Sequence, residues 1–250
     1  FERMEKIMLE KTMDYVALDL ETTGLSPHDD MIIEIGAVKV IGGSRVDKFS
    51  TFVNPKIHIP PRITEITGID DSMVLPAPQI EEVLGKLVEF IGELPVLGHN
   101  VSFDYGFVCQ KALNMKIKYH ASCIDTHKIS RKLLTGLESR SLESLCSFYD
   151  IVEEPRHRAF SDAAAAARLY DCLYEEASCR DDDSFEELFL PEEMAYVAKK
   201  DTPITPKQIN FLKSLVRQHG VELGKDIESL TKSQASREID KILSTYGRTF

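Results

Sequence analysis

Residues 15–24, YVALDLETTG, alternate with a period of two: Val16, Leu18 and Leu20 fall on one face, Ala17, Asp19 and Glu21 on the other. Such a run reads as a strand with buried side chains. Its last turns put two carboxylates on the same side, one residue apart, where the apolar stretch meets the polar Thr22–Thr23–Gly24 segment. Two readings of this stretch are open: a strand that frays into a loop, or one wall of a metal site.

The rest of the chain limits the fold. MIIEIGAVKVI and RVDKFSTFV flank Gly42–Gly43, a hairpin signal. Residues 55–77 are rich in proline and read as a loop region around one short helix. QIEEVLGKLVEFIG has apolar residues at 80, 83, 84, 87, 88 and 91, which is helical spacing. PVLGHN reads as a short buried strand, SFDYGFVCQKAL as a helix capped by Ser102, and SCIDTHKIS as a strand passing into a helix. SLESLCSFYDI is a further helix. SDAAAAARLYDCLYEEA is a long one, rich in the best helix former. Strands and helices that mix in this way predict an α/β domain with a mixed central β-sheet flanked by helices, over residues 13–176 after a leader at 1–12.

Beyond Ala177 the pattern breaks. Residues 177–201 read as an acidic, solvated linker with one helical turn. Residues 202–250 then read as a small helical module, marginal on its own at about 45 residues. Thr205 with Gln208, and Thr231 with Gln234, are two capping boxes, and the helices they open stop at Gly220 and Gly247.

Charge sharpens the division. The chain of 250 residues carries a net charge of −11. Residues 174–201 hold ten acids against three bases, whereas residues 202–250 hold eight bases against five acids. An acidic total argues against a broad electrostatic grip on phosphates, but not against an enzyme whose own site is made of carboxylates. No apolar run approaches the roughly 20 residues of a membrane span. FERMEKIMLEKT is too charged for a secretory signal. Position 1 is Phe, which leaves open a longer parent chain. The five cysteines form no CxxC pair and fit reduced thiols in a cytoplasmic protein. GxxxxGK and GxSxG are absent, so neither a phosphate-cradling ATP loop nor a serine-hydrolase elbow is expected.

Two further stretches end in an acid: HNVSFD at Asp104 and HRAFSD at Asp162, each with a histidine five residues earlier, His99 and His157. DLETTGL, HNVSFD and HRAFSDA occur in this order, with TGI at 67–69, AP at 77–78 and LESL before the last motif. Together they resemble the DEDDh branch of the DnaQ-like 3′–5′ exonucleases, the family of the proofreading epsilon subunit of bacterial DNA polymerase III. In the sister branch a Tyr stands four residues before the last Asp. Here Arg158 holds that place and His157 matches the histidine branch.

The resemblance implies an RNase H-like exonuclease fold and a metal site of Asp19, Glu21, Asp104 and Asp162, with His157 as general base. It also implies two divalent ions, Mg²⁺ or Mn²⁺. The physical chemistry agrees. At an effective dielectric of about 20, each close pair of carboxylates costs on the order of 4 kcal/mol, which hard oxygen-seeking cations relieve. Zinc would ask for His and Cys ligands instead. Histidine is the side chain that takes a proton near neutral pH.

By the same resemblance, Thr22, Thr23, Gly24 and Leu25 would face the terminal nucleotide. Gly24 would allow close approach, Thr23 would bond the 3′ end and Leu25 would wedge against a base, with Asn100 and Phe103 lining the cleft. Asp162 taken alone also reads as a charge favoured at a helix start, Phe103 as core, and His99 as structural. Asp125, at a strand end, is a candidate fifth ligand outside the family pattern.

The expected activity is hydrolysis of phosphodiester bonds at single-stranded or frayed DNA 3′ ends, releasing 5′-mononucleotides. RNA-trimming members of the family keep an RNA substrate open, and a retired exonuclease kept as a nucleic-acid-binding module is the rival of another class. A polymerase or other DNA-processing partner, reached through the C-terminal region, is expected, and no membrane. FEELFLP, within the linker, is similar to short peptides that dock onto sliding clamps.

Overall fold

The alternation of YVALDLET becomes a central strand, β1 (Tyr15–Thr22), in the computed structural model, which describes residues 10–152, 158–180, 183–198, 202–224 and 226–247. Strands β2 (Ile32–Ile41) and β3 (Ser44–Phe52) form the expected hairpin. Gly42 and Gly43 turn it at φ 56° and 73°, left-handed values that glycine adopts without steric cost. The proline-rich stretch holds two short helices where one was expected, α1 (Pro61–Thr67) and α2 (Asp71–Val74). The second exists because the Asp70 carboxylate caps the Met73 N–H.

There follow α3 (Ile80–Ile91), β4 (Val96–Gly98), α4 (Ser102–Asn114), β5 (Ser122–Asp125) and α5 (Thr126–Leu133). After these come α6 (Leu142–Phe148) and the 20-residue α7 (Ala159–Ser178). Ser102 does not cap α4. Val101 already has helical dihedrals in the cap position, and the Ser102 hydroxyl turns back to Asn100 Oδ1 at 3.3 Å.

Among the described residues the strands form one mixed sheet in the order β3-β2-β1-β4-β5, closed at one edge by β6 (Glu192–Glu193). β1 is antiparallel to β2 and parallel to β4. The loop leaving the carboxyl end of β4 therefore emerges beside the carboxyl end of β1, the place where open α/β sheets hold ligands.

The period-two alternation splits the core. Tyr15 and Ala17, with Val38 and Val40, pack under the alanine-rich face of α7 and against α5 and α6. Val16, Leu18 and Leu20, with Ile35 and Ala37, pack under α3 and α4. Asp19 and Glu21 continue the α7 face of β1 beyond its apolar half.

The linker expected over 177–201 is corrected in its first part. Residues Asp183–Phe189 form a 3-10 helix, and Phe185, Leu188 and Phe189 are 8%, 8% and 0% exposed within the α7-side core. Glu192 and Glu193 pair with Cys123 and Ser122 of β5. Lys128 and His120 meet their side chains at 2.5 Å. The first compact unit consequently extends to Tyr196. A run dominated by acids carries three large apolar side chains, and their burial outweighs the solvation preference of neighbours that remain at the surface. The same burial removes FEELFLP as an exposed docking peptide.

The second unit begins at Val197. It contains α8 (Pro206–His219) and α9 (Lys232–Tyr246), each opened by its capping box, with Gly220 ending α8 in the left-handed region. Its small core is built from Ile204, Leu212, Leu215, Leu230, Ala235, Ile239 and Ile242. No helix among the described residues is long and apolar enough to cross a membrane.

Candidate active site

Three acids distant in sequence meet at the carboxyl end of β1. Asp19 and Glu21 project from the strand, and Asp162 comes down from the first turn of α7. Each offers an oxygen within 4.8 Å of the other two. Asp104, in the first turn of α4, approaches from the other side of the strand. It is 4% exposed, and its Oδ1 accepts the Leu20 N–H at 2.9 Å. It lies outside the 4.8 Å group and joins it through charge, since it stands first among the acids that raise Asp19.

The electrostatics follow from crowding. Asp19 is pushed well above the usual carboxylate range by burial, then by Asp104, Asp162, Glu21 and Glu34. Glu21 is raised to about 7 by burial and by Asp162 and Glu34, against the opposing charge of Arg158. Asp104 is raised to about 8, mainly by burial, although the Leu20 N–H pulls it the other way. Such a crowded set of partly buried oxygens fits a hard divalent cation, which supplies positive charge and prefers oxygen donors.

The turn after β1 is built by its own hydroxyls. Thr22 Oγ1 donates to Gly24 O at 2.7 Å, while Thr23 Oγ1 accepts the Met31 N–H at 2.9 Å and lies 3.5 Å from Asp30 Oδ1. Both side chains are buried, so the contact expected of Thr23 with a 3′ end competes with bonds that hold the turn. Gly24 packs against Asp30: a Cβ there would stand 2.5–2.7 Å from that carboxylate, which would have to move. Leu25, by contrast, is 85% exposed.

The loop after β4 carries Asn100 in the left-handed region at φ 69°, with its N–H donated to Asp125 Oδ1 at 3.0 Å. The same oxygen accepts from His127 N and Lys128 N at the start of α5. That employment makes Asp125 a helix cap and loop anchor, and it takes no part in the metal group. His99 bonds Thr126 Oγ1 and Arg140 O through its two ring nitrogens, a structural part. Phe103 is half-buried, its ring 5.0 Å from Phe107. His157 lies outside the described residues.

Sequence reasoning missed two supports. Lys111 of α4, 5% exposed, reaches Asp30 O at 2.5 Å and Pro27 O at 3.3 Å and so ties the loop behind Gly24 to the helix that bears Asp104. Glu34 of β2, paired in register with Glu21, is 5% exposed and raised by burial. An acid in the apolar run IIEIGAV was the available signal.

A carboxylate group at the carboxyl end of a central strand, closed by a helix that delivers the last acid, suits a metal-dependent hydrolase, and the family match makes this one an exonuclease. The exonuclease model RNase_T matches residues 16–170, and the chain belongs to that exonuclease family. It is 44% identical over 157 residues to a DNA polymerase III PolC-type of Caldanaerobacter subterraneus subsp. tengcongensis, a stretch covering 63% of this chain and 11% of that protein. A PolC-type polymerase of Bacillus subtilis is 42% identical, over 62% of this chain and 11% of its own length. The chain thus spans about a tenth of the length of these curated relatives.

Among solved structures, exonuclease X in complex with 5′ overhanging duplex DNA is 27% identical with TM-score 0.55, covering 70% of this chain and 98% of that one. The nuclease domain of 3′hExo, a DEDDh family member bound to rAMP, shares the fold at TM-score 0.57 and 19% identity, over 66% and 94% of the two chains.

Proposed function

We propose that this exonuclease removes nucleotides one at a time from the 3′ end of DNA, acting on single-stranded or frayed ends and releasing 5′-mononucleotides. The observation that carries the reading is the convergence of Asp19, Glu21 and Asp162 within 4.8 Å, with buried Asp104 behind Asp19. These four would hold two ions, Mg²⁺ or Mn²⁺. When bound, such ions acidify a water, hold the phosphate oxygens and stabilise the departing 3′ oxygen.

The remaining parts belong to the chain. His157 takes the proton of the attacking water, a contribution of about 10²–10⁴ in rate for a well-placed general base. Leu25, exposed beside the site, presses on the terminal base. The backbone of the Thr22–Gly24 turn and the left-handed loop at Asn100 line the path of the strand, and half-buried Phe103 is the candidate stacking surface. The PolC-type relatives support a setting beside a DNA polymerase, and we take proofreading as the role.

The test is digestion of 3′-labelled DNA and its RNA counterpart, with single-stranded, mismatched and paired ends, in Mg²⁺ or Mn²⁺. Single-stranded and mismatched DNA should be shortened fastest, to 5′-mononucleotides, and Asp19→Ala should fold but not cleave. Preference for RNA would reassign the polymer. Full activity in Asp19→Ala would take the reaction away from this site.

A further inference from the structure

Helix α7 begins without a cap of its own. Arg158 holds the cap position and makes no side-chain cap bond, and the Ala159 N–H, at the first helical residue, has no acceptor within the helix, as at the start of any helix. The acceptor comes from another element. Glu34 Oε2, on β2, takes the Ala159 N–H at 3.2 Å, and Arg158 Nη1 lies 3.7 Å from the same oxygen. Arg158 is steadied in turn by Thr67 O at 3.4 Å and by the face of Phe52, 5.5 Å away.

Two residues further along β2, on the same face, stands Gly36. A Cβ there would lie 2.0 Å from Ala159 C and Phe160 N, so the strand admits the helix backbone into direct contact only because this position is glycine. Gly36 is paired with Asp19, and Glu34 with Glu21. The two β2 residues that receive the helix are therefore the cross-strand neighbours of the two β1 acids that Asp162 must meet.

We infer that Glu34, with Gly36, is a positioning residue for the reaction: together they seat the first turn of α7 on the sheet, and this seat sets Asp162 against Asp19 and Glu21. Asp162 lies three residues, less than one helical turn, beyond Ala159, so a shift of the helix start moves its carboxylate by nearly the same amount. Metal-ligand geometry tolerates little of that. The inference rests on the proposed metal site and adds to it a residue that touches neither ion nor substrate.

The experiment compares Glu34→Gln with Glu34→Met in the full chain. Both remove the charge and keep the length, but only Gln keeps an oxygen for the Ala159 N–H. Mn²⁺ binding, read by calorimetry without substrate, should stay within about threefold of wild type for Gln and weaken by about 10–100-fold for Met. The Mn²⁺ concentration that half-activates cleavage should shift in parallel. Equal affinities in the two variants, whether intact or impaired, would overturn the inference.

Amide exchange in the wild type needs no variant to fold. The Ala159 N–H should exchange slowly although it has no helical partner, and free exchange there would also overturn the seat. Asp162→Asn separates this from failure of the site itself. If Asp162→Asn cleaves normally, the proposed function fails. If it is inactive while Glu34→Met binds Mn²⁺ as wild type does, only the seat fails.

Discussion

Leu20 donates its backbone N–H to Asp104 Oδ1 at 2.9 Å, so the buried acid of α4 is fastened to the strand residue that lies between Asp19 and Glu21. One side chain thus has two duties, satisfying an edge of β1 and placing a further buried carboxyl group beside Asp19.

These duties separate by substitution. Asp104→Asn keeps an oxygen for Leu20 and removes the charge. It should melt at or above the wild-type temperature while activity falls by about 10²-fold or more, as for loss of a group that shapes a metal site. Asp104→Ala leaves the Leu20 N–H buried without a partner and should cost a further 1–3 kcal/mol, roughly, in denaturant unfolding. Equal stability in the two variants would count against the bond.

The crowded acids predict an inverted pH dependence for the metal-free protein. Glu21 and Asp104 have ordinary values of 4.5 and 3.8 and are held at about 7 and about 8 in the fold. Between those limits the folded state keeps protons that the unfolded chain releases. The contribution to stability is therefore full below the ordinary values and is lost as pH rises through 7 to 8. In EDTA, Asp19→Asn should melt close to wild type at pH 5 and above it at pH 8, and Mn²⁺ should raise the wild type most at pH 8. A wild type that gains stability over the variant between pH 5 and 8 in EDTA speaks against the crowding.

Gly24→Ala forces a methyl group onto the Asp30 carboxylate, which also accepts the Ser26 N–H at 2.9 Å. The turn should distort, at a cost of about 1–3 kcal/mol for overpacking and with a rise in KM for single-stranded DNA. Adding Asp30→Ala should recover part of both. A double variant as impaired as the sum of the singles would show that the two positions do not interact.

Leu25→Ala removes a side chain that is 85% exposed, so stability should change by less than about 0.5 kcal/mol. Cleavage of paired and frayed 3′ ends should slow more than cleavage of single strands, since only the former require a base to be prised away. Uniform slowing on all three ends is the contrary result.

The second unit carries eight bases against five acids over residues 202–250. We propose that it holds nucleic acid. Its deletion should weaken single-strand affinity by about tenfold at low salt and flatten the salt dependence, because phosphate contacts release counterions. Affinity unchanged at two salt concentrations assigns the helical pair another task.

The sequence by itself determined the local pieces of this protein. Period two in YVALDLET, helical spacing in QIEEVLGKLVEFIG, the glycine pair at 42–43 and the two capping boxes each state their element, because backbone sterics and near-neighbour hydrogen bonds act over a few residues. The acids at 19, 21, 104 and 162 were legible as well, through motif order.

What only the tertiary structure decided is where distant polar groups find partners. Asp125 looked like a ligand and is a cap. FEELFLP looked like solvated chain, yet its aromatic rings complete a core. Glu34 and Gly36 looked like ordinary strand residues, but they meet the backbone of a helix 125 and 123 positions away. A carboxylate carries no mark of whether its charge will be met by a cation, a helix N–H or water. That choice is made by burial and by the direction in which packed elements aim it, and neither exists until the sheet and its helices have come together.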